Sequence, residues 1–396
     1  MRVIFLNRFY WPDEPATAQL LTDLAESFAA AGREVTVITS HPAPDRLPRA
    51  ETHRGVQIER VASSRARHPG LFRKAADFAT FHLGAMWRLS RVARRGDVII
   101  AMTDPPLLGI GAWFISAWRG ARLIHWVQDI YPELAIELAG QRWLEIVRPL
   151  RNLAWRQAAH CVTLGADMAD TLGRAAVERG QISLIPNWAP GGLVPPPVAA
   201  FHAIRTAWHV ADKFVVAYSG NLGRVHDLEP VLAVAEALRQ DLNIAFLFVG
   251  AGAQRATLEA DVARRGLHNV QFRPPQARDS LAATLAAGDV HLVTLRPGCE
   301  RYVFPSKLYG VAAVGRPVIM IGPLECELAR LVTSHGLGQA FDRTAGEAIA
   351  NEIRSLATDA ATRSRRGAAA LRFASEHRLA NAIARWNSVL ERAQAC

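Results

Sequence analysis

Phe304-Pro305-Ser306-Lys307-Leu308-Tyr309-Gly310-Val311-Ala312-Ala313-Val314-Gly315-Arg316-Pro317-Val318-Ile319 reads as a loop, a short helix and then a strand. Ser306 is placed to cap the helix, Gly315 stands where a left-handed residue would end it, and Pro317 blocks continuation. Two residues sit badly in a helix that merely supports a fold. Lys307 puts a cation in the first turn, against the helix dipole, at a cost of a few tenths to about 1 kcal/mol. Gly310 lies mid-helix and costs roughly 1 kcal/mol relative to Ala. An anion at the start of the helix and a ligand packed against Gly310 would account for both. The chain has only three lysines, Lys74, Lys213 and Lys307, and the other 43 of its 46 basic residues are arginine. A sequence so biased toward Arg that keeps Lys here calls for a compact point charge. The plain alternative is an ordinary crossover helix with a solvated lysine.

Outward from this stretch, short apolar strands alternate with helices along the whole chain. In the first 190 residues strands are expected at Arg2–Asn7, Glu34–Thr39, Val56–Ala62, Asp97–Met102, Arg122–Val127, Cys161–Leu164 and Ile182–Pro186. A second alternating unit starts at Phe214, with strands at Ile244–Val249, Val270–Phe272 and Val290–Leu295 and a long tail helix over Arg363–Ala395. Such strands joined by helices make parallel sheets buried on both faces, with ligands bound beyond the strand C-termini. The expected first-half rim comprises Phe9–Glu14, Thr39–Pro42, Thr103–Pro106 and Gln128–Glu133. Asn187-Trp188-Ala189-Pro190-Gly191-Gly192 and Pro195-Pro196-Pro197 break the alternation and read as a linker. The expected division is residues 1–188 with the last helix (about 373–396), a linker at 189–212, and residues 213–372.

Composition narrows the function. At 396 residues, half of them hydrophobic and with a mean hydropathy of +0.06, the chain is a multidomain folded protein. No apolar run is long enough to span a bilayer. The chain opens on a strand, Val3–Leu6, and Cys161, Cys299, Cys326 and Cys396 form no CxxC pair. Those features point to a cytoplasmic protein with neither a disulfide framework nor a metal site. Residues 46–95 carry twelve basic side chains against three acidic ones, interleaved with Phe72, Phe78, Phe81, Leu83, Met86, Trp87 and Leu89. That pattern suits a peripheral contact with an anionic membrane, or equally a half-buried helix with solvated arginines. No nucleic-acid motif accompanies it.

Gly220-Asn221-Leu222-Gly223-Arg224 follows a strand and is expected to open a helix, which would aim backbone N–H groups and a guanidinium at an anion. Gly250-Ala251-Gly252 follows the next strand in the same way. Each motif is weak alone, and G-x-G-x-x-G is absent after the first strand. Together with Ser306 and Lys307 they would line one diphosphate site.

Taken with Phe9-Tyr10-Trp11-Pro12-Asp13-Glu14, Trp126-Val127-Gln128-Asp129-Ile130-Tyr131-Pro132-Glu133, and Gly315-Arg316-Pro317, these stretches resemble GT-B fold glycosyltransferases of family GT4. The likeness is to bacterial polysaccharide transferases of the WbuB and WcaI kind. The resemblance implies two Rossmann-like parallel-sheet domains facing across a cleft, with the C-terminal helix returning to the N-terminal domain. It further implies transfer of a sugar, an N-acetylated or deoxy hexose, from a UDP-sugar to a polyprenyl-diphosphate-linked or other saccharide acceptor. The transfer would retain configuration, use no cofactor or metal, and serve cell-surface polysaccharide synthesis at the cytoplasmic membrane face. Lys307 would stabilise the departing diphosphate, with Asp129 orienting the acceptor hydroxyl or donor sugar and Glu300 replacing a family glutamate. Donor contacts are assigned to Gly220, Asn221, Gly223, Arg224, His226, Gly250, Gly252, Arg273, Pro305, Ser306, Leu308, Tyr309 and Gly310. Trp11, Asp13, Glu14 and Thr17 are assigned to the acceptor side. The chain departs from the family pattern at Tyr302 and Gly310, where two glutamates usually stand, and at His226, where many relatives carry lysine. Alternatives are a UDP-N-acetylglucosamine 2-epimerase, an inactive nucleotide-sugar-binding partner subunit, and a transferase acting on a soluble natural-product aglycone.

Overall fold

The computed structural model describes residues 1–41, 47–63 and 71–395, without the side chains of 71–75 and 395. Two compact units divide the chain. The first comprises Met1–Asn187, Arg301–Val303 and Leu379–Cys396; the second comprises Trp188–Glu300 and Phe304–Arg378. Each is a parallel α/β sheet, the class the alternation of strand and helix predicts.

The first unit holds β1 (Arg2–Leu6), β2 (Glu34–Ser40), β3 (Ala50–His53), β4 (Val56–Val61), β5 (Val98–Ala101), β6 (Arg122–Val127), β7 (His160–Thr163) and β8 (Ile182–Leu184). Their order across the sheet is β3-β4-β2-β1-β5-β6-β7-β8, and β3 alone runs antiparallel, against β4. Central strands such as Val98-Ile99-Ile100-Ala101 are buried at every position, so they must be covered on both faces. Helix Leu71–Val92 supplies Phe81, Ala85 and Leu89 to one face, and helix Leu108–Arg119 adds Leu108 and Ala112. Trp126 on β6 meets Trp386 edge-on at 5.0 Å, which seats the last helix, Leu379–Ala395, on this unit.

The second unit holds β9 (Phe214–Ser219), β10 (Ile244–Val249), β11 (Val270–Arg273), β12 (Val290–Thr294), β13 (Val318–Ile321) and β14 (Gly338–Phe341). The order β11-β10-β9-β12-β13-β14 is doubly wound. The chain runs outward from β9 in one direction, then returns to start again on its other side. That reversal between β9 and β12 is a topological switch point, where strand-end loops diverge and leave room for a ligand. The first sheet has its own between β1 and β5.

Several local expectations change. Strands β3 and β14 are too short and polar to show an apolar period. Val198–Ala207, expected within a linker, is a helix of the second unit, and Arg205 on it bonds Asp289. The tail helix is two, Ala360–Glu376 and Leu379–Ala395. Ser306 is no side-chain cap: it has helical backbone angles and makes no capping hydrogen bond. Gly315 does end its helix in the left-handed conformation, at φ +68°. Pro42 of the expected rim, Arg46, Arg65, Arg67 and Cys396 lie outside the described residues, as do the side chains of Phe72, Arg73 and Lys74. Cys161, Cys299 and Cys326 are buried.

Candidate active site

In the second unit the loops after β9 and β12 are tied together at the switch point. His226 Nδ1 donates to Thr294 O at 2.8 Å, and the Arg296 amide donates to Val225 O at 2.9 Å. Above this junction stands Lys307, at the start of the helix Lys307–Ala313. Its ammonium is buried and lies 3.5 Å from the centre of the Tyr218 ring, with no hydrogen-bond acceptor among the described residues. Burial drives its pKa well below the ordinary lysine value. Burial first, and then the Lys307 charge, lowers His226 to about 3, so its ring is neutral.

Lys307 is not the only unanswered polar group here. Ser219 Oγ at the end of β9, Thr294 Oγ1 at the end of β12 and Glu300 Oε2 in the following loop are also buried without partners. Buried polar atoms are normally bonded, so such a set at a switch point marks a place for a polar ligand. Sequence reasoning had not selected Ser219 or Thr294. Their only mark in the sequence is to be the last residues of adjacent strands.

The structure redistributes the expected donor contacts. Gly220 stays open toward Lys307, whose Cε lies 3.6 Å from where a Cβ would sit. The loop Gly220–Arg224 does not open a helix, which begins only at Glu229, and the amides of Gly220 and Leu222 already donate to Val249 O and Ala251 O. Arg224 is exposed and Asn221 is exposed beside Gly223. Gly250 and Gly252 owe their identity to packing, because a Cβ on either would strike the Gly220 or Leu222 carbonyl at 2.0 or 2.5 Å. Arg273 is held by Gln271 and the Trp208 carbonyl. Pro305, Leu308 and Tyr309 are buried, and Tyr309 stacks on Phe373 at 5.9 Å in the core. A Cβ added at Gly310 would meet Leu285 and Leu193 at 3.4 and 3.7 Å, so protein side chains line the space expected for a ligand.

At the first unit's switch point Arg8, just beyond β1, pairs with Asp104, beyond β5, at 3.4 Å, and with Asp77 at 2.9 Å. Asp129 beyond β6 is held by its backbone: its amide donates to Thr103 Oγ1 at 3.1 Å, and it forms a bridge with Val303. Burial, reinforced by the Asp104 charge, raises its carboxyl to about 7. A small cavity of about 30 Å³ adjoins it, lined by Thr103, Leu107, His125, Tyr131 and Trp155 among others. Trp11 stacks on His53 at 3.7 Å, Asp13 accepts from the Tyr10 amide at 3.4 Å, and Glu14 is exposed. Thr17 lies in the first turn of helix Ala16–Ala30. No cluster of three or more His, Cys, Asp or Glu side chains placed to hold a metal occurs among the described residues.

Residues 17–188 match the "Glycosyl transferase 4-like domain" family, and residues 203–373 match "Glycosyl transferases group 1". The chain belongs to the GT4 glycosyltransferases. This glycosyltransferase is 27% identical over 380 residues to the putative colanic acid biosynthesis glycosyl transferase WcaI of Escherichia coli (strain K12), covering 89% of this chain and 91% of that one. It is 27% identical over 260 residues to the probable glycosyltransferase WbjE of Pseudomonas aeruginosa, covering 63% and 64%. Its GT-B fold matches sucrose-phosphate synthase from Thermosynechococcus elongatus with a TM-score of 0.82, at 18% identity over 100% of this chain and 99% of that one. HepE from Anabaena, solved in complex with UDP-glucose, matches with a TM-score of 0.75, at 17% identity over the full length of both.

Proposed function

We propose that this glycosyltransferase moves an N-acetylated or deoxy hexose from a UDP-sugar to a polyprenyl-diphosphate-linked saccharide acceptor in cell-surface polysaccharide synthesis. The second unit is the donor domain and the first the acceptor domain. The observation that carries the reading is the buried, partnerless ammonium of Lys307 against Gly220, with the Ser219 and Thr294 hydroxyls also unpartnered at the ends of β9 and β12. A cation left unanswered in the interior costs stability, and a diphosphate would restore both its charge and its partners. The WcaI likeness supports a polysaccharide acceptor, and the HepE complexes support a uridine diphosphate donor.

In this reading the acceptor oxygen bonds to the anomeric carbon and the bond to the diphosphate oxygen breaks with its electron pair. The hydroxyl proton passes to the leaving phosphate, on the same face, so configuration is retained without a metal. Lys307 stabilises the charge that develops on the diphosphate, Arg224 assists from the exposed loop, and Asp129 orients the acceptor hydroxyl. Glu300, with its free carboxyl oxygen, contacts the sugar. The acceptor's lipid anchor sets the work at the cytoplasmic face of the inner membrane.

A thermal-shift panel of UDP, UDP-GlcNAc, other UDP- and GDP-sugars and NAD, run on the parent and on Lys307→Ala, tests this. A ligand at about 100 times its dissociation constant stabilises by roughly 2.7 kcal/mol. A UDP-selective shift lost in Lys307→Ala is expected. No shift with any nucleotide would end the reading.

A further inference from the structure

The small cavity beside Asp129 in the first unit has walls of two kinds. Met102, Leu107, Leu108, Ile110 and Trp155 give it an apolar lining, while Thr103 and Asp129 bring a hydroxyl and a carboxyl to it. At about 30 Å³ it exceeds the roughly 10–15 Å³ that a single water needs, which leaves room for a methyl group. Leu107 joins this lining from a left-handed backbone, φ 66° and ψ 9°, a conformation that leucine rarely adopts. Outliers of this kind gather at ligand sites.

The two polar groups are each only half engaged. Thr103 Oγ1 accepts from the Gln128 amide at 3.2 Å and from the Asp129 amide at 3.1 Å, which fills its lone pairs and leaves its one proton to give. Asp129 makes those contacts with its backbone, and its carboxyl has no hydrogen bond or ion pair among the described residues. The other polar walls are already occupied. Arg151 bonds both oxygens of Glu133 at 3.1 and 2.6 Å and the Tyr131 carbonyl at 2.8 Å, and lies 3.7 Å over the Trp155 ring. His125 is buried, and burial lowers its pKa to about 4, so its ring is neutral.

One free donor, one free acceptor and an apolar recess are the complement of a secondary amide that ends in a methyl group. An acetamido substituent meets all three at once, with its N–H to Asp129, its carbonyl to Thr103 and its methyl in the recess. Other sugar substituents meet fewer. A hydroxyl has no apolar end, and a deoxy methyl offers nothing to either polar group. A carboxylate or phosphate would face the Asp129 carboxyl and the neighbouring Asp104. A carboxylate has two oxygens, so taking the amide proton with one leaves Asp129 the other for the hydroxyl to be glycosylated.

We infer that this cavity is an acetamido subsite, through which the enzyme selects acceptors whose sugar carries an N-acetylated amine. Thr103 and Leu107 are then specificity-determining residues. The subsite rests on the reading of the first unit as the acceptor domain, and adds the substituent that domain recognises.

The test is saturation-transfer NMR on the full chain, titrated with methyl N-acetylglucosaminide and with methyl glucoside, which differ only in that substituent. The first should bind about tenfold or more tightly, from one buried methyl and two added hydrogen bonds, with saturation strongest at the acetamido methyl. Thr103→Val should weaken its binding roughly two- to tenfold, and Thr103→Ser, which keeps the hydroxyl, should bind like the parent. Leu107→Gly removes one wall but also releases the left-handed backbone, so it should fold while lowering acetamido binding about threefold or more. Methyl glucoside should bind all three variants like the parent. Thermal melts and the UDP shift on the same samples report the fold and the donor site independently. Glycosides that bind alike, or a methyl less saturated than the ring protons, would overturn the acetamido subsite and leave the acceptor domain standing. No binding of either glycoside would remove both. A defect that Thr103→Ser shares with Thr103→Val would overturn the subsite too, since the hydroxyl would not be what the ligand meets.

Discussion

The ammonium of Lys307 stands 3.5 Å over the Tyr218 ring, and that ring is itself anchored by its hydroxyl donating to Asn221 O at 2.9 Å. An aromatic face is a partial substitute for water around a cation, worth about 2 kcal/mol when desolvated, but it leaves all three N–H donors unused. Ligand-free protein therefore holds a costly group that a bound anion would relieve.

Lys307→Met should separate stability from function. The variant keeps length and volume and removes the buried charge, so its ligand-free melting temperature should equal or exceed the parent's. Turnover should fall roughly 10²–10³-fold, the usual loss of a preorganised group at developing charge. A variant both stable and fully active would remove Lys307 from the mechanism.

Donor binding should take up protons. Burial holds the empty-site Lys307 below its normal pKa, and a diphosphate favours the charged form, so affinity for UDP should decline as pH rises through the empty-site value. Calorimetry in two buffers of different ionisation heat measures the uptake directly. The uptake should vanish in Lys307→Met.

Asp129 makes a prediction of the opposite kind. Its carboxyl is raised from 3.8 to about 7, so the stability it contributes is complete below the lower value and is lost as pH rises through the upper one. Asp129→Asn does not titrate. The variant's melting temperature should therefore gain on the parent's between about pH 5 and about pH 8. A constant difference across that range would mean the carboxyl is not raised in the fold.

Two glycines should respond differently to alanine. Gly250 has φ +149°, and an added Cβ would lie 2.0 Å from Gly220 O, so Gly250→Ala should cost about 2–5 kcal/mol of strain and overpacking. Gly310 is helical and an added Cβ would come no closer than 3.4 Å to Leu285, so Gly310→Ala should be neutral or stabilise by up to about 1 kcal/mol. Denaturant melts measure both. A raised donor KM in a stable Gly310→Ala would reinstate a ligand at that helix.

Trp386→Ala should cost about 3–5 kcal/mol, because the indole is fully buried edge-on against Trp126 and its loss leaves a large cavity. Hydrogen exchange in Leu379–Ala395 should accelerate more than exchange in β9 and β10. Equal acceleration in both would show that the last helix is not seated on the first unit by this contact.

The fold was legible because its strands are short, apolar and separated by helices, a pattern that only parallel sheets covered on both faces satisfy. β11 and β12 were placed within a residue or two on that basis, while β3 and β14 escaped it because edge strands need no apolar period. Lys307 stood out because Lys is rare in this chain and ill-suited to a first helical turn. Gly250 and Gly252 were assigned to a ligand from their place at a strand end and from family likeness, and neither distinguishes a backbone approaching a phosphate from a backbone approaching Gly220 and Leu222. The orphaned hydroxyls of Ser219 and Thr294 were invisible for a related reason. A sequence shows which side chains can bond, and only the packed neighbours show which ones go unanswered.

By itself, then, the sequence determined the two α/β units and the cation at the head of the Phe304–Ile319 stretch, since periodicity and composition are local properties. Tertiary structure alone decided that Lys307 meets Tyr218 and Gly220, and that Tyr309 turns into the core. It also decided that Trp126 meets Trp386 edge-on. Those relations join residues far apart in sequence, and they exist only once the sheet has brought its helices side by side.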